Sequence, residues 1–176
     1  MSASPQRSLL KLLLSVAIAV ITMLLVPFGR PLQRTLQPEL VVFQFSTVLA
    51  VIGLATAIWY LRHTLLLWGC QKALFHGAAL IFFLSSFALL QSATIEFAHL
   101  LLYGGFTFSA ASYLSTKGSQ GRNFINSQLL NLGLAVFDEF LQWIHPERVF
   151  DLRDICLNSI AGVVGYLLYM PFEPRR

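Results

Sequence analysis

Residues able to do acid–base chemistry crowd into one stretch. Asp138 to Asn158 holds Asp138, Glu139, Glu147, Asp151 and Asp154, five of the chain's eight acids, together with Gln142, His145, Arg148, Arg153 and Asn158. Upstream, Glu96, His99 and Tyr103 recur at helical spacing. A histidine serves as base or nucleophile near neutral pH, and Glu96, three residues before His99, is placed to orient it. Asp138, Glu139 and Asp154 suit the work of an acid, a base or a ligand to a hard divalent cation. Arg148 offers a planar fork for a phosphate or carboxylate. Gln142, Asn158, Tyr103 and Asp151 offer hydrogen bonds that would hold a substrate in place. Together these types suit an anionic, phosphate-bearing group. The competing explanation is structural: acids near the end of a membrane span reach water cheaply, arginine snorkels, and such groups then serve only as interhelical contacts and interface anchors. Glu147 and Arg153 fit that explanation, as do the interfacial His63 and His145. His76, alone in an apolar run, fits a packed histidine.

The elements that must carry these residues are membrane helices. The chain has 176 residues, 56% hydrophobic and 11% charged, against about 25% charged in an ordinary soluble domain. On both sides of the acidic stretch the sequence is almost wholly apolar. The expectation is an all-α polytopic transmembrane bundle of about six spans, each of about 20 residues, occupying 1–176 as a single domain. The net charge of +4 without a basic run argues for membrane orientation and against nucleic-acid binding. Cys70 and Cys156 fall on opposite membrane faces in this topology, so no disulfide is expected, and no Cys/His spacing resembles a zinc site.

The spans are expected at about 9–28, 40–61, 73–91, 95–114, 124–143 and 152–170. The first is taken as an uncleaved span, because the apolar run continues beyond the small-residue site at Ala17–Ala19 that would suit a signal peptidase. Pro27, Gly29 and Pro31 end it, His145-Pro146-Glu147-Arg148 breaks the fifth from the sixth, and Pro171 stops the last. Trp59, Trp68 and Trp143 read as interface anchors. With the N-terminus inside, Arg7, Lys11, Arg62, Lys72, Lys117, Arg122, Arg175 and Arg176 lie inside, against Arg30, Arg34, Arg148 and Arg153 outside. This asymmetry places both termini in the cytoplasm. The polar groups of spans four, five and six then share one depth near the outer surface. Three stripes converge there: Glu96, His99, Tyr103, Thr107 and Ala110; Asn131, Asp138, Gln142 and His145; Asp154, Asn158, Gly162, Gly165 and Tyr169. Gly162 and Gly165 would let helices approach closely.

At these residues the chain resembles the VanZ-like family of small bacterial membrane proteins. Glu96-Phe-Ala-His99-Leu-Leu-Leu-Tyr103 is similar to that family's acid followed by His-x-x-x-Tyr, Asp138-Glu139-Phe-Leu-Gln142 to its Asp-Glu-x-x-Gln, and Pro146-Glu-Arg148 through Asp154 to Asn158 to its Pro-Gly-Arg segment and Asp-x-x-x-Asn. The resemblance covers about 94–169. It departs in three places. The family often has Asp-Lys-x-x-His where this chain has Ile95 and Glu96, Gly where this chain has Glu147, and Gly where this chain has Ala161.

The family is named for a protein linked to teicoplanin resistance, and a wider relationship to enzymes that exchange or cleave lipid head groups has been proposed. The resemblance therefore implies a multi-pass protein of the bacterial inner membrane. Its partner would be a membrane lipid or a lipid-linked cell-envelope precursor. One expectation is a head-group transferase or hydrolase, with His99 as base or nucleophile, Glu96 as its orienter, Asp138, Glu139 or Asp154 as further acid, base or metal ligand, and Arg148 as phosphate clamp. Another is a non-enzymatic protein that binds or shields the precursor and so affects glycopeptide susceptibility. A small transporter is a third, although that class sets its polar groups near the bilayer midplane.

Overall fold

The computed structural model describes residues 5–25, 62, 66, 69–90, 97–115, 119–144 and 150–172. Among them the chain is all-helical and carries no strand: α1 (Pro5–Leu25), α2 (Cys70–Leu90), α3 (Phe97–Leu114), α4 (Gln120–Ile144) and α5 (Leu152–Tyr169), followed by a 3-10 turn, Met170–Phe172. The expected second span lies outside the described residues. The other five expected spans coincide with the five helices to within a few residues at each end. α1 opens on Pro5, where the missing N–H costs nothing.

The chain divides into two compact units, Phe28–Phe82 and the remainder. In the first, Gly69 adopts the left-handed backbone (φ 78°) that glycine takes without strain, and its carbonyl accepts from Ala73 N at 3.1 Å as α2 begins. The second unit holds α1, α3, α4 and α5. α3 and α5 run parallel and pack most extensively, because Gly104 and Gly165 bring their backbones together. A Cβ on Gly165 would overlap the Gly104 carbonyl and lie 2.7 Å from Gly104 Cα. α4 runs antiparallel to both and fills the space beside them. α1 runs antiparallel to α3. Its Lys11 Nζ donates to Ser112 O at 3.1 Å, and Ser15 Oγ donates to Ser109 Oγ at 3.0 Å. The lysine thereby meets a carbonyl in the last turn of α3, where a cation is favoured.

Among the described residues two small cores hold the unit. Tyr103, Ala135, Leu157 and Ala161 form one, and Ala111, Tyr166 and Tyr169 form the other. In the second, Phe124 meets Tyr166 edge-on at 4.9 Å, and Tyr166 Oη donates to Gln120 O at 3.1 Å.

The patterning of α4 is inverted. Its buried residues are Asn123, Ser127, Asn131, Ala135, Asp138, Glu139 and Gln142. Its exposed residues include Ile125, Leu129, Leu130, Leu132, Val136, Phe137, Phe140, Trp143 and Ile144. α1 does the same on a smaller scale, burying Ser15 and Thr22 and exposing its leucines and valines. A helix of a water-soluble protein turns its apolar stripe inward; these turn it outward. Two stretches among the described residues, Ser8–Leu25 and Leu152–Phe172, are long and apolar enough to cross a membrane.

Candidate active site

The polar residues of α3, α4 and α5 meet at one end of the bundle. His99 stands in the first turn of α3, Asp138, Glu139 and Gln142 near the end of α4, and Asp151 and Asp154 at the start of α5. Helical spacing explains the selection. Tyr103 sits one turn after His99, Gln142 one turn after Asp138, and Asn158 one turn after Asp154, so each pair shares a face.

Tyr103, 1% exposed, donates its hydroxyl to Asp138 Oδ2 at 2.6 Å. Gln142 Nε2 donates to the same carboxylate oxygen at 3.3 Å and to Glu139 Oε1 at 2.9 Å. Glu139, fully buried, receives a further bond on Oε2 from Asp151 N at 2.8 Å. One buried amide and one phenol thus tie together two neighbouring carboxylates, and the second carboxylate fastens the start of α5 to the end of α4. Asp151 caps α5 in extended backbone, its Oδ1 accepting from Arg153 N at 2.8 Å.

His99 lies against this network and is half-buried. Its ring stacks on that of Tyr103, with centroids 5.9 Å apart and planes within 6°. Its Nδ1 lies 2.6 Å from Oδ1 of the fully buried Asn158. Nε2 has no partner among the described residues. Asn158 is held in turn, since Asn131 Nδ2 donates to its backbone carbonyl at 2.9 Å.

His99, Tyr103, Asp138, Glu139, Gln142, Asn158, Asp151 and Asp154 therefore come together as their spacing predicts. Glu96 and Arg148 lie outside the described residues. The stripes expected on α3, α4 and α5 are also found: Tyr103, Thr107, Ala110, Asn131, Asp138, Gln142, Asn158, Gly162, Gly165 and Tyr169 are all buried.

Arg153, read from sequence as an anchor, pairs here with Asp151 Oδ2 at 3.7 Å and with Asp154 Oδ1 at 3.5 Å, its side chain 34% exposed. The signal was the Asp-x-Arg-Asp run at a helix start, which puts an arginine within reach of both the capping acid and its own neighbour. Asn123, Ser127 and Gln128 also went unremarked, although they continue the Asn131 stripe backward by single turns. Among the described residues no three of His, Cys, Asp and Glu converge to hold a metal ion. Cys70 and Cys156 are both free and exposed.

No curated protein and no solved structure matches the chain. A family model described as VanZ/LLP1 matches residues 11–173, a stretch that reaches into every helix named above and contains the whole polar network. By that match the chain belongs to the VanZ/LLP1 family.

Proposed function

We propose that this is a six-span protein of the bacterial inner membrane, with both termini in the cytoplasm and a polar pocket in the outer leaflet. In the enzyme reading it acts on the head group of a phospholipid or a lipid-linked envelope precursor. The inverted patterning of α4 supports the membrane setting, because an apolar outer face and a polar inner face suit hydrocarbon surroundings. The polar face from Asn123 to Gln142 covers 20 residues, whose 19 steps of about 1.5 Å rise span about 28 Å, close to the thickness of a bilayer core. The directions of the helices support the count. α1 and α3 are antiparallel, so an even number of crossings separates them, and α2 with the expected second span supplies two.

The half-exposed His99 carries the reading. Its ring is fixed on one edge by Asn158 and on one face by Tyr103, while Nε2 has no partner among the described residues. In the proposed reaction Nε2 takes the proton from an attacking water or lipid hydroxyl as its oxygen bonds to phosphorus. The same proton then passes to the oxygen of the departing head group as its bond to phosphorus breaks. Asp138 and Glu139, buried and bonded, form the floor of the pocket. Asp151, Asp154 and Arg153 form its rim, with Glu96 and Arg148 as the further orienter and phosphate clamp.

The second reading is a protein that binds or shields a lipid-linked precursor without turning it over, which would affect susceptibility to glycopeptide antibiotics. The observation favouring it is that Asp138 and Glu139 already receive bonds from the chain itself and need no substrate to satisfy them.

Mass spectrometry of lipids from cells overproducing wild type or His99→Ala, at equal abundance in the membrane, separates the two. The enzyme reading expects a lipid species altered by wild type and unaltered by His99→Ala. Identical lipid profiles, with a lipid co-purifying with both proteins, would move the function to binding.

A further inference from the structure

Asn158 was expected to touch substrate. It is fully buried, and its carboxamide oxygen lies 2.6 Å from His99 Nδ1. An amide oxygen only accepts, so the hydrogen of this contact belongs to the ring nitrogen. A neutral imidazole carries one N–H, and placing it on Nδ1 leaves a lone pair on Nε2, the atom without a partner among the described residues. We infer that Asn158 is a positioning residue that selects the Nδ1–H tautomer of His99 and so makes Nε2 the basic atom of the pocket. The inference deepens the enzyme reading and rests on it only for its consequence; the tautomer itself is independent of any turnover.

Three further observations hold the amide in place. Asn131, also fully buried, donates Nδ2 to the Asn158 carbonyl at 2.9 Å and so braces α5 at this residue. Gly162, one turn beyond Asn158, gives Asn131 its room: a Cβ there would lie 2.7 Å from Asn131 Cγ and closer still to Nδ2. The parallel stack of His99 on Tyr103, whose hydroxyl is bonded to Asp138, restrains rotation of the imidazole. The Asn158 side-chain nitrogen, Nδ2, is buried and without a partner among the described residues. Among the described residues the contact with His99 is thus the one hydrogen bond that orients the side-chain amide. The chain of contacts runs from Gly162 through Asn131 and Asn158 to the ring, as second-layer partners fix a histidine tautomer elsewhere.

The test is nitrogen-15 NMR of histidine-labelled protein in lipid nanodiscs, at a pH where the imidazole is neutral. The chain has four histidines, and His99→Gln assigns the resonance pair of interest. The wild type is expected to show His99 with Nδ1 protonated and Nε2 bare. Asn158→Ala should make the Nδ1–H form a minority, as for histidine free in water. Asn158→Asp, which keeps an acceptor oxygen, should retain it. A wild-type His99 protonated on Nε2 overturns the inference without any variant having to fold. So does an Asn158→Ala protein that keeps the Nδ1–H form. The lipid comparison can fail while the tautomer stands, and the reverse, so the two proposals are separable.

Discussion

At the scale of single residues the central feature is a buried phenol bonded to a buried carboxylate. Tyr103→Phe removes the donor at 2.6 Å from Asp138 and leaves the carboxylate with the longer Gln142 contact. A loss of about 1–3 kcal/mol is expected, measured by thermal unfolding in detergent. Asp138→Asn should also destabilise. The double variant should lose less than the sum of the two, because they share one bond; strict additivity would mean that the bond contributes nothing. The stripe holding Tyr103 was legible, since Glu96, His99, Tyr103 and Thr107 recur one turn apart. Its partner was not. Periodicity assigns a residue to a face and a depth, and several polar groups on two other helices share that depth. The same limit explains Asn158, which the spacing set beside the pocket without showing that its amide would be taken up by His99. Arg153, read as a structural contact or anchor, pairs with the two acids beside it at the start of α5, partners that the spacing alone did not single out.

At the scale of elements the fold depends on the approach of α3 to α5. Gly165→Ala puts a methyl group into the Gly104 backbone and should cost about 1–3 kcal/mol, read as a lowered midpoint in the same melts. Gly105→Ala, on the next residue of α3, would bring its Cβ to 3.9 Å from Ile18 Cδ1, an ordinary contact. It should be neutral or mildly stabilising, because alanine favours helix by about 1 kcal/mol over glycine. Equal effects of the two substitutions would remove the tight crossing from the account. The five described helices were readable from their apolar runs and their Pro and Gly punctuation, to within a few residues. Gly162 and Gly165 stood out as small residues on a polar stripe. Gly104 did not, because it borders another glycine in an apolar run where nothing marks which of the two meets a neighbour.

At the scale of the whole molecule the testable quantity is topology. In a cysteine-free background, Glu147→Cys should react with a membrane-impermeant maleimide on the periplasmic side, and Arg176→Cys should react only after the membrane is opened. Equal labelling of both from one side would overturn the six-span arrangement. The sequence argued this topology from the distribution of Lys and Arg. The antiparallel relation of α1 to α3 is compatible with an even number of crossings between them and does not bear on which side the termini lie.

The inverted patterning of α4 also bears on how the chain is made. α4 is not among the stretches apolar enough to cross a membrane by their own composition, whereas Leu152–Phe172 is. Asp138, Glu139, Asn131 and Gln128 each make hydrogen bonds within α4 itself or with residues of α3, of α5 and of its N-cap Asp151. In the proposed setting α4 therefore settles stably only once α5 has been synthesised beside it, the two entering as a hairpin. Translation halted after Ile144 would leave Glu139 without its bond from Asp151 N, and Asn131 and Gln128 without the carbonyls of Asn158 and Gly162.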